Sequence, residues 1–333
     1  MHAGAIYVPA GKLIMERTLI KDLKLSVGKE VLINGVVDVS RQQGKMAFFD
    51  FRDRSGLIQG VVFGKPEVLE IAKTLTEHSS IAVTGIVNQR PEKMVNANVD
   101  NGDIELEITS ITALNISEAM PFDLSADINL DTLLDNRPLT LRRQRERAIF
   151  KVQHEILVAY RSFLIENGFT EFQAPKLVGG DAEGGAEVFK VKYFKGVDAS
   201  LATSPQLYKQ IMAGVFERVF AVGPTFRAEK RATTRHLSEI SMLDLEMAFI
   251  KDHTDVIALV TELIKAIVVR INTVCAKELT LLGVEQALAP EAFPVMTLRE
   301  AQALILKETG VDKTKEPDLE PEDERWLCEY AAK

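Results

Sequence analysis

Between Ser204 and Ile250 the charged residues are spaced as a ligand site would need. Arg218 to Arg227 reads as a strand, RVFAVGPTFR; a polar loop, Lys230 to Arg235, and His236 lead into a second strand ending in DLEMAF. If the first strand persists past its end, Arg227 and Glu229, two apart, project from the same face. On the second, Ile240, Met242, Asp244 and Glu246 share one face, and Leu243, Leu245 and Met247 the other. The expected hairpin has an apolar side for the core and a charged side for a ligand, since such charges are costly without polar partners. Upstream, Ser204-Pro205 starts a helix on which Gln206 and Lys209 share a face. Gly179, Gly180, Gly184 and Gly185 surround Glu183 in a loop suited to closing over a ligand.

The elements that must position these residues form two groups. From about Glu30 to Asn115, five β-branched and aromatic segments are bounded by Gly, Asp, Asn and Pro: Val31 to Val39, Met46 to Arg52, Leu57 to Phe63, Ser80 to Asn88 and Ile104 to Ile111. A short helix, Pro66 to Thr76, lies between the third and fourth. That order is the order of an OB-fold, a barrel that commonly binds single-stranded nucleic acid. Residues 116–137 read as a hinge or linker without sustained period. From Leu139 a long helix is expected, with Ile149, Val152, Ile156, Tyr160 and Phe163 as one buried stripe. Strand-like segments follow at Phe169 to Ala174, Val188 to Phe194, Arg218 to Arg227 and Leu237 to Phe249, then helices. The fold class is therefore α+β, with domains at 15–115 and 138–333. Residues 1–14 read as a disordered extension before a native start at Met15.

Composition limits the function classes. The 333 residues have room for two cored domains, and 46% apolar with 26% charged residues is ordinary for a globular chain. The greasiest stretch, Val256 to Val274, is broken by Glu262, Lys265 and Arg270, so no membrane association is expected. Two cysteines, far apart, exclude a disulfide framework and fit a cytoplasmic protein. A net charge of −8 argues against non-specific DNA coating but leaves a specific RNA partner open.

The strings F-R-A-E, R-H-L-S-E and D-L-E-M-A-F together resemble motif 2 of class II aminoacyl-tRNA synthetases. G-F-T-E-F-Q-A-P-K-L resembles their motif 1, with Pro175 at the position that shapes a homodimer interface. D-A-E-G-G-A-E-V-F and, most specifically, S-P-Q-L-Y-K-Q resemble the aspartate-specific branch. The resemblance runs from about Met15 to the end. It implies an OB-fold anticodon-binding domain and an antiparallel-sheet class II catalytic domain. It further implies ATP and Mg²⁺ as cofactors, aspartate as substrate, and tRNA-Asp as partner, with tRNA-Asn as a second candidate. Aspartate and ATP would give aspartyl-adenylate and pyrophosphate, followed by acyl transfer to tRNA.

The resemblance also implies residue roles. Arg227, the catalytic residue, bridges the amino-acid carboxylate and the α-phosphate of ATP with a planar fork that suits both. Glu229 recognises the adenine amino group; Arg235 and His236 serve the ATP phosphates; Ile240 stands where some relatives stack an aromatic ring on adenine. Lys209 pairs with the aspartate side chain, Glu183 and Asp244 meet its amino group, and Ser204 and Gln206 complete the amino-acid site. Arg41, Phe48 and Gln59 fall where the family reads the anticodon, with Phe48 stacking on an unpaired base. Taken alone, Phe48 in an alternating strand reads as core. No insertion follows Phe249, as in archaeal and eukaryotic forms. A G-x-G-x-x-R motif 3 is not found, so the catalytic domain is expected to be incomplete, with no metal ligand within the sequence and little adenylate formation by it alone. The rival readings are an asparaginyl-tRNA synthetase and a non-catalytic tRNA-binding relative.

Overall fold

The computed structural model describes residues 15–97, 99–180, 187–229 and 237–332. The chain divides into two compact units, Met1–Ile128 and Asn129–Lys333.

In the first unit, β1 (Glu30–Gln43), β2 (Met46–Arg52), β3 (Leu57–Phe63), β4 (Ser80–Gln89) and β5 (Ile104–Asn115) close a barrel in the order β1-β2-β3-β5-β4. Helix α1 (Pro66–Thr74) follows β3. Alternation along each strand decides what is inside: on β2, Ala47, Phe49 and Phe51 are buried, while Met46, Phe48, Asp50 and Arg52 face out. Phe49 and Phe51 stack with ring centroids 5.3 Å apart at the centre of a core that includes Ile33, Val62, Val83 and Ile108. Gly60, opposite Phe49, must lack a side chain, because a Cβ there would lie 2.5 Å from the Phe51 ring.

Asp53 ties the chain before the barrel to the β2–β3 turn. Its carboxylate accepts from the N–H groups of Ile20 (3.1 Å) and Ser55 (2.7 Å) and from the Ser55 hydroxyl (2.6 Å). Burial by itself would raise this carboxyl, but the Ser55 and Ile20 hydrogen bonds, with Arg17 beside them, outweigh it and hold it below its ordinary value. A depressed folded pKa contributes stability above the unfolded value of about 4, lost as pH falls through the folded value. Asp53→Asn is therefore expected to flatten the acid limb of stability. Urea midpoints of both proteins between about pH 3 and 6 check this, and parallel acid limbs would refute it.

The second unit opens with α2 (Leu130–Asp135), α3 (Arg137–Thr140) and α4 (Gln144–Glu166). The stretch read as an aperiodic linker thus holds helical turns, started where the Asn129 side chain accepts from the Thr132 N–H. The long helix begins at Gln144 and not at Leu139. Ile149 is 41% exposed and is not part of the buried stripe. The buried line of α4 runs instead through Glu146, Ala148, Glu155, Ala159, Tyr160 and Leu164. It includes small and charged residues that a hydrophobic pattern passes over; Glu155 is held at 2.7 Å by Arg270.

Then come β6 (Thr170–Glu171), β7 (Leu177–Val178), β8 (Lys190–Lys192), β9 (Asp198–Leu201), α5 (Gln206–Phe216), β10 (Arg218–Phe226) and β11 (Glu239–Met247). They form two three-stranded sheets, β11-β10-β6 and β7-β9-β8. β10 and β11 are antiparallel, but β6 runs parallel to β10, so the first of these sheets is mixed. The expected strands Phe169 to Ala174 and Val188 to Phe194 shrink to β6 and β8. Helices α6 (His253–Val274), α7 (Ala276–Leu281), α8 (Leu298–Thr309) and α9 (Pro321–Ala331) complete the unit. Among the described residues no helix is long and apolar enough to cross a membrane.

Candidate functional site

The β10–β11 hairpin separates core from site by parity. Phe220, Val222, Leu245 and Met247 pack on Tyr160 and Leu164 of α4 and Leu263 of α6. Val219 and Ala221, on the opposite side, pack against Ala213 of α5 and Ala174. Cross-strand pairing puts Asp244 opposite Ala221 and Glu246 opposite Val219, so both carboxylates rise on the α5 side. There they meet Lys209, whose ammonium bonds Asp244 and lies 3.5 Å from Glu246. Lys209 is only 8% exposed. A cation that deep is tolerable because two carboxylates compensate it. From the core side, the Tyr160 hydroxyl donates to the Asp244 carbonyl oxygen at 3.0 Å, fixing the backbone that carries the carboxylate. Burial, with Asp244 and Glu171 nearby, pushes that phenol well above its ordinary value, so it stays a donor.

Helix α5 is set by the residues before it. Ser204 is buried, and its hydroxyl accepts from the Gln206 N–H at 3.1 Å, which makes it a local cap. Gln206 is half-buried one turn before Lys209. Ala202 bridges the surroundings: its N–H donates to the Lys176 carbonyl, and its carbonyl accepts from the Phe226 N–H, both at 2.9 Å.

The far end of the hairpin departs from expectation. β10 stops at Phe226, and the Arg227 N–H still donates across the hairpin to the Ser238 carbonyl at 3.0 Å. The chain then turns: the Glu229 N–H donates to the Arg227 carbonyl at 2.8 Å and the Ala228 N–H to the Glu187 carbonyl at 2.8 Å. Arg227, half-buried, and Glu229, exposed, therefore do not share one strand face. Ile240 is half-buried opposite Thr225. Pro175 is exposed. Glu183, Arg235, His236 and residues 1–14 lie outside the described residues. Among the described residues, no group of three or more His, Cys, Asp or Glu side chains could hold a metal ion.

On the barrel, Arg41 pairs across the strands with Phe48, and Asp50 with Gln59. All four share the outer face of β1–β3. Phe48 is half-buried there, one residue from the core Phe49. The residue the sequence analysis missed is Asp50, which accepts from the Arg41 guanidinium at 3.1 and 3.2 Å. Burial pushes its carboxyl above the ordinary value against the pull of Arg41. A planar ring flanked by a donor fork, a carboxylate and an amide suits unpaired bases, which offer a π-face and hydrogen-bonding edges.

Comparison with known proteins joins the two units. Residues 129–333 match the family model of class II tRNA synthetases (D, K and N), and residues 31–114 match that of the OB-fold nucleic acid binding domain. The chain belongs to the class II tRNA synthetases. The aspartate–tRNA(Asp/Asn) ligase of Deinococcus radiodurans is 38% identical over 322 residues, covering 96% of this chain and 70% of that protein. The aspartate–tRNA(Asp) ligase of Thermococcus kodakarensis is 37% identical over 310 residues, covering 91% and 69%. Among solved structures, asparaginyl-tRNA synthetase from Pyrococcus horikoshii complexed with asparaginyl-adenylate matches with a TM-score of 0.82 and 32% identity, covering 95% of this chain and 73% of that one. In this synthetase, the expected class II catalytic domain and OB-fold are thus both present. The catalytic unit supplies a charged hairpin face under α5, and the barrel supplies a ring-and-charge face.

Proposed function

We propose that this synthetase is an aspartate–tRNA ligase, which activates aspartate with ATP and transfers it to tRNA-Asp. The observation that carries the choice of amino acid is the buried Lys209 ammonium. It bonds Asp244 and lies 3.5 Å from Glu246, and since an ammonium carries three donors, these two partners leave it capacity for a ligand carboxylate. Asparagine, uncharged at the same position, would leave that donor facing an amide in a poorly solvated site. The curated relatives above are aspartate ligases, which agrees, whereas the structural likeness to an asparaginyl enzyme follows from shared architecture. Asp244, and Glu183 from the glycine-rich loop, would take the substrate amino group. Arg227, at the end of β10, would hold the activated carboxylate and the α-phosphate, with Glu229, Arg235, His236 and Ile240 around the rest of ATP. Ser204 and Gln206 would frame the amino acid. Mg²⁺, which accompanies ATP in this family, is assigned no ligands among the described residues.

Arg41, Phe48 and Gln59 would bind the anticodon, with tRNA-Asn as a second candidate partner. A homodimer accords with the exposed apolar residues Leu207, Ile211 and Val215 on α5 and with Pro175. Two free cysteines, Cys275 and Cys328, accord with a cytoplasmic setting. The test is calorimetric titration with L-aspartate, L-asparagine and L-lysine, alongside filter binding of tRNA-Asp transcripts. Aspartate is expected to bind at least tenfold more tightly than the others. A preference for asparagine would move the chain to the asparaginyl branch, and tRNA binding without amino-acid binding would favour the non-catalytic reading.

A further inference from the structure

The geometry points to Lys176 as a further substrate-binding residue: its ammonium meets the α-carboxylate of aspartate, while Lys209 meets the side-chain carboxylate. This rests on the aspartate reading above. Lys176 follows Pro175 in a segment that passes beside β10, and its side chain lies over Gly223. A Cβ built on Gly223 would stand 3.2 Å from the Lys176 Nζ and 3.3 Å from its Cε. The glycine therefore leaves the space that the lysine occupies. Gly223 has the parity of Ala221, on the face from which Asp244 and Glu246 rise.

Charge gives this position its meaning. Lys209 is one ammonium against two carboxylates, so that cluster alone is anionic and would repel aspartate, itself an anion. Lys176 brings the set to two ammoniums against two carboxylates, which offsets that repulsion. Among the described residues, no carboxylate lies within ion-pair distance of it, and it is half-buried. Burial pushes its ammonium below the ordinary value, with Asp244 pulling it back, as for a partly desolvated cation that no described carboxylate pairs directly. Position selects the carboxylate it serves. Gly223 is two residues along β10 from the Asp244 rung, about 6.6 Å at strand rise and on the order of the span between the two ends of aspartate. It is also nearer Arg227, the end at which the α-carboxylate must be activated.

The experiment titrates wild type, Lys176→Met, Lys176→Arg and Gly223→Ala calorimetrically with L-aspartate and with L-aspartic acid α-amide, which keeps the side chain and neutralises the α-position. The readout is the ratio of the two dissociation constants. Wild type is expected to favour L-aspartate strongly. Lys176→Met should weaken L-aspartate tenfold or more while leaving the α-amide within twofold. Lys176→Arg should keep most of the ratio, and Gly223→Ala should reduce it by crowding the ammonium, a result available even if Lys176→Met fails to fold. An unchanged ratio in Lys176→Met and Gly223→Ala, or equal weakening of both ligands, overturns the proposal while aspartate remains preferred over asparagine in wild type. Loss of that wild-type preference would instead overturn the aspartate reading and this inference together.

Discussion

Lys209→Met is expected to abolish most of the preference for aspartate over asparagine and to lower stability at the same time. Asp244 and Glu246 rise side by side under α5, and Lys209 is the cation between them in ion-pair distance. Removing it leaves two carboxylates facing each other with little water: the Asp244 side chain is 12% exposed and that of Glu246 29%. Breaking a buried pair of this kind costs about 3–5 kcal/mol, chiefly from the uncompensated charge left behind. The Lys209–Asp244 couple can be separated from the rest by a double-mutant cycle with Asp244→Asn, which removes one of the stranded charges. If the pair is as drawn, Asp244→Asn costs less stability in the Lys209→Met background than in wild type. Aspartate and asparagine titrations on the same proteins read the functional half. Wild-type affinity for aspartate in Lys209→Met would remove the basis for assigning the amino acid to this site.

How far these features were legible beforehand depends on how local their causes are. The barrel was legible because each strand carries its own period and its own turn residues; Met46–Arg52 and Leu57–Phe63 were read to the residue. The hairpin parity was legible for the same reason, and it put Asp244 and Glu246 on one face before any contact was known. The short extent of β6 within the expected strand Phe169 to Ala174, and the existence of β7, were not, since both strands are defined only by pairing with β10 and β9. The turn at Arg227 was also hidden: it is closed by the distant Glu187 carbonyl as well as by a local hydrogen bond. Lys176 gives no sequence signal, because a lysine after a proline is ordinary and its meaning comes from a glycine 47 positions on. Tyr160 was visible as one member of an apolar stripe, but its hydroxyl contact with Asp244 spans 84 positions.

Phe48→Ala and Phe49→Ala are expected to give opposite results, although the two residues are neighbours of identical type. Phe49 is 0% exposed and stacks on Phe51, with the planes 11° apart. Its truncation opens a cavity in the centre of the barrel, at a cost of about 3–5 kcal/mol in stability. Phe48 points to the other side of the same strand, beside Arg41 and across from Val61, where the ring has a face to offer a base. Its truncation should change the urea midpoint little while weakening tRNA binding by about 1–3 kcal/mol, the usual worth of one stacked base. Alternation makes the contrast sharp, because a one-residue error in register would exchange the two outcomes. Urea unfolding and filter binding of tRNA on both variants therefore test the register and the binding face together. A large stability loss in Phe48→Ala with unaltered tRNA affinity would place Phe48 in the core, and the base-binding face would then have to be sought elsewhere on the barrel.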